Sequence, residues 1–172
     1  MATTYETLIR AVPDYPVPGV LFRDITPLLG NAGALKAAVR DLAEPFRDER
    51  IDRVVAIEAR GYLFGAPLAL ELGVGFVPAR KAGKLPLETF RSEYVLEYGK
   101  ATIEVHQDGV PDGHRVLLVD DVLATGGTMA AACDLVRQAG AEVAGIAVLI
   151  ELEALAGRAR FGDTKLVSLV RY

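Results

Sequence analysis

Apolar residues recur along this chain at two different spacings, and each spacing predicts one kind of secondary structure. Leu35, Val39, Leu42 and Phe46 lie four, three and four residues apart, as the buried positions of a helix do. Asn31, a residue type that caps helix N-termini, precedes them. This segment is therefore predicted to be a helix with one face against a core.

Two more helices and five strands are predicted in the same way. An alanine-rich stretch over 64–72 stops at Gly73, and a helical stripe of apolar residues from Met129 to Val136 is closed by Gly140. Short apolar runs, several of them β-branched, predict strands over 54–57, 74–78, 116–119, 143–150 and 166–170. Because strands alternate with helices, we expect an α/β fold with a mostly parallel central sheet, formed by one domain over 1–172.

Two segments do not follow this alternation. The N-terminal segment contains Pro13, Pro16, Pro18 and Gly19, which predict an irregular arm. The stretch 80–99 is polar and contains glycine and proline, and a connection of that length in a compact domain is usually functional. We predict that 80–99 is a flexible lid.

Composition and charge exclude several classes of protein. The chain has 172 residues, 51% of them apolar and 24% charged, which suits a soluble domain with a sizeable core. Its formal net charge of −4 and the lack of a basic run argue against a nucleic-acid partner, and no uncharged apolar run is long enough to span a membrane. A single cysteine, Cys133, and two histidines outside metal-ligand spacing favour a reducing, cytoplasmic location.

The segment 116–128 (VLLVDDVLATGGT) contains the chain's most informative chemistry. A buried parallel strand brings Asp120 and Asp121 to the edge of the sheet where open α/β folds place ligands. Small residues then allow a ligand close to the backbone and open a helix whose N-terminus favours an anion. Two carboxylates beside a phosphate cradle would repel the phosphate unless they engage ribose hydroxyls or a hydrated Mg²⁺. The whole segment predicts a sugar-phosphate site, whereas the Asp-Asp pair alone is equally consistent with an acidic strand end before a capped helix.

This segment resembles the signature for 5-phosphoribosyl-1-pyrophosphate (PRPP) in the type I phosphoribosyltransferases, and Ala124 resembles the adenine-specific branch. The resemblance implies that Asp120 and Asp121 lie on the ribose and metal side. It implies Mg²⁺ as cofactor, held mainly by PRPP or pyrophosphate, with no direct protein ligand assigned. The implied 5-phosphate loop consists of Ala124, Thr125, Gly126, Gly127 and Thr128.

Two further segments resemble parts of the same family. Phe22–Pro27 resembles the hood that covers the base, here within 1–33, which implies that Leu21, Phe22 and Arg23 line adenine. Glu58–Gly65 resembles the pyrophosphate loop, with Ala59 and Arg60 as the implied contacts. We hypothesise a cis peptide bond between Ala59 and Arg60, as is frequent in the family.

The lid adds two groups of candidates. Arg80, Lys81 and Lys84 form a basic cluster that could close over departing pyrophosphate, although a solvated loop is the ordinary explanation. The segment from Leu96 to Lys100 resembles the family's lid segment, which implies catalytic roles for Glu97 and Tyr98 together with Arg60. Glu97 is the candidate for handling the proton that adenine loses, and an exposed lid salt bridge is the competing interpretation.

The resemblance implies transfer of the phosphoribosyl group of PRPP to adenine, which gives AMP and pyrophosphate in purine salvage. It also implies a homodimer, in which Tyr62, Phe64 and the following helix serve either the interface or the core. One alternative is a phosphoribosyltransferase for 6-oxopurines, which Ala124 and the hood sequence disfavour. The other is a non-catalytic PRPP-sensing module, for which we expect a DNA-binding appendage or altered catalytic loops.

Overall fold

The computed structural model describes residues 5–95 and 100–172. Its strands are β1 Arg10–Pro13, β2 Leu21–Asp24, β3 Arg53–Ile57, β4 Gly75–Lys81, β5 Thr89–Val95, β6 Lys100–His106, β7 Arg115–Leu123, β8 Glu142–Glu151 and β9 Leu166–Arg171. Its α-helices are α1 Thr26–Leu29, α2 Ala32–Ala43, α3 Tyr62–Leu72 and α4 Gly127–Gln138. Short 3₁₀ helices cover Glu6–Leu8, Glu44–Phe46, Glu153–Leu155 and Gly157–Phe161.

Seven strands form the central sheet in the order β5-β6-β4-β3-β7-β8-β9. The strands β4, β3, β7, β8 and β9 run parallel to one another, and the hairpin of β5 and β6 adds to them with β6 antiparallel to β4. The predicted α/β fold with a mostly parallel sheet is therefore confirmed. Within the described residues, none of the helices has the length and apolar character needed to cross a membrane.

Both faces of this sheet are buried, which explains why its central strands are continuously apolar. Along β7, Leu117 and Val119 pack into the core on the side of α2 and α3. Val116 and Leu118 alternate with them and pack into the core on the side of α4. The two helical faces predicted from apolar spacing thus cover opposite sides of one sheet.

The predicted helix boundaries have clear local causes. The side chain of Asn31 accepts a hydrogen bond from the amide of Ala34 at 3.0 Å and so caps α2. At the end of α3, Gly73 adopts a φ of 70°, a left-handed conformation that glycine enters without steric cost.

The polar stretch 80–99 is more regular than the sequence predicted. It contains β5, which pairs with β6 from Thr89 opposite His106 to Val95 opposite Lys100. Ser92 is buried while its neighbours are exposed or partly exposed, so the segment alternates as a half-buried strand does despite its charges. The N-terminal arm is also not wholly irregular, because β1 and β2 form an antiparallel hairpin.

Candidate active site

The carboxyl ends of β3, β4 and β7 meet at one edge of the sheet because these strands are parallel. A cleft of about 280 Å³ opens there. Its lining includes seven predicted site residues, namely Ala59, Arg60, Lys81, Asp120, Asp121, Ala124 and Thr128. Tyr94 of β5 also lines it, and this residue was not among the candidates because β5 itself was not predicted. Residues predicted from three separate segments therefore face one space.

The two adjacent carboxylates at the centre of this cleft differ in their partners. The amide of Asp121 donates a hydrogen bond to Oδ1 of Asp120 at 2.8 Å. Nε of Arg60 lies 2.7 Å from Oδ2 of Asp121, but this ion pair lacks hydrogen-bond geometry. That buried Oδ2 has no hydrogen-bond partner among the described residues. A buried carboxylate oxygen with unused acceptor capacity is a feature expected of a ligand site.

Burial and mutual repulsion both act on the titration of this pair. Burial raises the pKa of Asp120 well above its ordinary value, and the charge of Asp121 raises it further. Burial also raises the pKa of Asp121, while the Arg60 guanidinium opposes that shift. A cation near Asp120 would therefore favour its charged form.

Gly61 is required by the close approach of the loop to Asp120. A Cβ at this position would lie 2.5 Å from the carbonyl oxygen of Ile57 and 3.0 Å from Oδ1 of Asp120. The absence of a side chain in this loop, which follows β3, leaves room for the Asp120 carboxylate of β7.

The predicted phosphate loop surrounds a second, smaller cavity of about 80 Å³ next to the cleft. Gly126 has a φ of 79° and lies just before α4, whose first amides have no partners within the helix. Ala124, Thr125, Gly126, Gly127 and Thr128 all line this cavity. The geometry is that of a helix N-terminus open to an anion.

Sequence reasoning missed the segment that supports this loop from behind. The 3₁₀ helix Gly157–Phe161 packs so closely on it that a Cβ at Gly157 would overlap the carbonyl oxygen of Ala124. Nε of Arg160 donates a hydrogen bond to the carbonyl oxygen of Thr125 at 2.7 Å. Gly157 was the only signal in the sequence, and a lone glycine does not indicate its contact.

The basic cluster lies around a carboxylate to which no role was assigned from the sequence. Arg80 Nε lies 3.0 Å from Oε2 of Glu58, and Lys84 Nζ lies 3.0 Å from Oε1. The amide of Lys81 also donates to Oε1 at 3.0 Å. Burial alone would raise the pKa of Glu58, but these donors lower it to about 2. Glu58 is therefore charged at neutral pH.

The hood strand β2 presents its side chains to two different surroundings. The Arg60 guanidinium carbon lies 5.1 Å from the ring centroid of Phe22, which places Phe22 beside the cleft. Arg23 instead lies over the ring of Tyr172, 3.5 Å from its centroid, and Leu21 is exposed. Successive residues of a strand point to opposite faces, which explains these different surroundings. That Leu21, Phe22 and Arg23 line adenine stays a prediction.

The predictions for the lid residues Glu97 and Tyr98 and for the cis peptide bond have different outcomes. Glu97 and Tyr98 lie outside the described residues. The cis peptide bond joins Glu58 to Ala59, one position before the bond predicted, so that hypothesis was wrong. The cis bond follows the first residue after β3, which ends at Ile57, and the resemblance alone did not fix its position to a single residue.

Tyr62 and Phe64 both serve the core of the chain. Phe64 is fully buried, and the hydroxyl of Tyr62 donates to the carbonyl oxygen of Ala79 at 2.9 Å. The exposed apolar residues of α3 are Leu63 and Leu70.

Residues 29–170 match the family described as phosphoribosyl transferase domain. The adenine phosphoribosyltransferase of Thermobifida fusca is 56% identical over 98% of this chain and 96% of its own length. The chain belongs to the adenine phosphoribosyltransferase family. The crystal structure of adenine phosphoribosyltransferase from Thermoanaerobacter pseudethanolicus superposes with a TM-score of 0.94 at 48% identity, covering 98% of each chain. The Saccharomyces cerevisiae enzyme, complexed with an imino-altritol bisphosphate and adenine, gives a TM-score of 0.91 at 40% identity, covering 96% of each chain.

Membership in the adenine phosphoribosyltransferases confirms the family, the enzyme class and the fold that the sequence predicted. It also supports purine salvage over the two alternatives raised from the sequence. The roles of individual residues stay predictions.

Proposed function

We propose that this protein transfers the 5-phosphoribosyl group of PRPP to adenine, which yields AMP and pyrophosphate in purine salvage. One observation supports this proposal above the others. The residues predicted for ribose and for the 5-phosphate, all within 116–128, and three of those predicted for pyrophosphate, from two other segments, line two adjoining cavities. A ligand with a phosphate at each end of a ribose would occupy both cavities at once.

Each group of predicted residues would bind a different part of PRPP. The amides of 124–128 and the hydroxyls of Thr125 and Thr128 would bind the 5-phosphate at the N-terminus of α4. Asp120 and Asp121 would accept hydrogen bonds from the ribose hydroxyls. The pyrophosphate would be bound by the predicted loop and lid residues Ala59, Arg60, Arg80, Lys81 and Lys84, of which Ala59, Arg60 and Lys81 line the cleft. This arrangement leaves C1 of the ribose exposed to a base entering from the side of Phe22.

The reaction is a displacement at C1. The N9 atom of adenine forms a bond to C1 as the bond from C1 to the pyrophosphate oxygen breaks, and the imidazole proton of adenine leaves. Cations around the pyrophosphate stabilise the charge that develops there. We propose that Glu97 accepts the proton that adenine loses and that Tyr98 has a supporting role. Glu97→Gln should then lower kcat. An unchanged kcat would contradict this role.

The two aspartates suit a hard divalent cation such as Mg²⁺. Carboxylate oxygens are its preferred protein ligands, and Oδ2 of Asp121 has acceptor capacity to spare. Within the described residues no three His, Cys, Asp or Glu side chains form a complete metal site, so PRPP and water would supply the other ligands. Bound there, Mg²⁺ would neutralise charge on the pyrophosphate group. The chain's own contribution is to hold the ribose against Asp120 and Asp121.

We also propose that the protein forms a homodimer and is located in the cytoplasm. An apolar groove of about 430 Å³ between α2 and α3 is lined in part by Leu35, Val39 and Leu70, and Leu70 is 83% exposed. Such a surface supports an interface between copies of the chain. Sedimentation should show a dimer that Leu70→Glu weakens, and cell fractionation would test the location.

The activity is tested by offering adenine, hypoxanthine, guanine and xanthine in parallel with PRPP and Mg²⁺. We expect AMP and pyrophosphate from adenine alone. Turnover with an oxopurine would reassign the base, and tight PRPP binding without turnover would indicate a sensor.

A further inference from the structure

Glu58 carries its charge at the centre of the proposed pyrophosphate site, where a second anion would have to bind. We propose that Glu58 is a positioning residue. As the counter-anion of Arg80 and Lys84 it holds both cations in place, and it releases them when pyrophosphate binds. This inference rests on the proposed function. It assigns a role to a side chain whose charge has the wrong sign for the ligand.

The carboxylate is well placed to hold both cations. Its side chain is 7% exposed, and each of its oxygens lies 3.0 Å from one of the two side-chain nitrogens, Arg80 Nε and Lys84 Nζ. Arg80 and Lys84 are far more exposed, at 36% and 49%. The anion is therefore fixed and the cations are the more exposed partners, although Arg80 also donates a hydrogen bond to the carbonyl oxygen of Lys84 at 3.2 Å. The amide of Glu58 also bonds to the carbonyl oxygen of Ala79 at 2.9 Å, which fixes its backbone between β3 and β4.

A second buried carboxylate holds the backbone of the same segment independently of Glu58. Oε1 of Glu104, which is fully buried on β6, accepts hydrogen bonds from the amides of Gly83 at 2.9 Å and Leu85 at 3.2 Å. The turn that carries Lys84 is thus anchored even when the lysine side chain leaves Glu58. Exchange of partners then requires rotation of the two side chains and, for Arg80, release of the carbonyl oxygen of Lys84.

This arrangement has two opposing effects on pyrophosphate. It keeps the cations beside the cleft, which reduces the ordering cost when the ligand binds. It also makes pyrophosphate compete with a resident anion, which lowers its affinity and assists its departure as product. Removal of the Glu58 charge should therefore tighten pyrophosphate binding and slow its release.

The variant Glu58→Gln tests this directly because glutamine keeps the shape and can still accept the Lys81 amide. We expect the Ki of pyrophosphate, measured as product inhibition with Mg²⁺ present, to fall by about fivefold, as for loss of one partly exposed ion-pair competitor. Since the competition is electrostatic, this difference should shrink as salt is raised. Glu58→Asp should restore the Ki toward that of the unaltered protein.

The matched control is Glu142→Gln, which removes a carboxylate 2.6 Å from Arg115 at the opposite end of the sheet. Its Ki should not change. A Ki in Glu58→Gln that is unchanged or higher, or a difference independent of salt, would overturn the proposal. Failure of the unaltered protein to turn over adenine would instead overturn the proposed function, and is measured first.

A measurement on the unaltered protein covers the case in which Glu58→Gln does not fold. The ¹³C resonance of the Glu58 carboxyl carbon should shift when pyrophosphate with Mg²⁺ saturates the site, because its two cationic partners leave. A resonance that does not move at saturation would overturn the exchange.

Discussion

We expect Asp120, a residue proposed to bind the ligand, to lower the free energy of unfolding of the protein. Asp120→Asn should therefore raise it. The substitution removes a charge but leaves an oxygen that can still accept the Asp121 amide, now bonded at 2.8 Å. Burial and the neighbouring Asp121 charge both raise the pKa of Asp120, and the charge of Arg60, which pairs closely with Asp121, lowers it less. The charged form of Asp120 is therefore unfavourable in the folded chain at neutral pH.

The sign and size of the effect follow from linkage. Because the folded pKa of Asp120 is raised, folding favours its protonated form, and stability is lost as pH rises from the unfolded value through the folded one. Asp120→Asn should add about 1 kcal/mol to the free energy of unfolding at about pH 7.5, or about 2–4 °C in Tm. The gain should shrink toward about pH 4, where the carboxyl is protonated anyway.

Urea unfolding followed by circular dichroism at both pH values would measure this, and turnover with adenine should be lost in the same variant. Asp108→Asn, in an exposed turn, is the control and should change stability by less than about 0.5 kcal/mol. A less stable Asp120→Asn at neutral pH, or a gain that is the same at both pH values, would refute the reasoning.

Three further substitutions test contacts around the cleft. Gly61→Ala should lower kcat and destabilise the fold by about 1–3 kcal/mol, because its Cβ would overlap the carbonyl oxygen of Ile57 and crowd Asp120; full activity would show that the loop can move aside. Arg160→Gln should raise the KM for PRPP by about fivefold through loss of the bond to Thr125, and an unchanged KM would contradict that support. Arg158→Ala should destabilise the fold by about 2 kcal/mol in thermal unfolding, since the buried Glu151 loses two charge-assisted hydrogen bonds but keeps Ser168 and Arg171, and a neutral result would count against this.

The sequence predicted those parts of the site that one continuous segment determines. The strand, acid pair and phosphate loop over 116–128 follow each other directly, so local pattern and composition suffice. The glycine that ends α3 and the Asn31 cap are likewise set by residues within a few positions. Parallel strands then bring such segments to a common edge without further information.

Contacts between distant segments could not be predicted in this way. Glu58 binds cations more than twenty positions along the chain, and nothing local shows that its charge will face them. The strand β5 was missed because charged residues occupy its exposed face, where they do not oppose strand formation. Arg23 lies over Tyr172, at the far end of the chain, and apolar spacing does not indicate a contact between residues so distant in sequence.

The phosphate loop depends on a second segment, the 3₁₀ helix Gly157–Phe161, for its conformation. Its backbone touches the loop so closely that only glycine fits at 157, and Arg160 bonds to a loop carbonyl. A designer who grafted 116–128 onto another parallel sheet would transfer the amides that face a phosphate but not the surface that fixes their directions. A functional transplant would need both pieces, in register, although about thirty residues and a whole strand separate them in the chain.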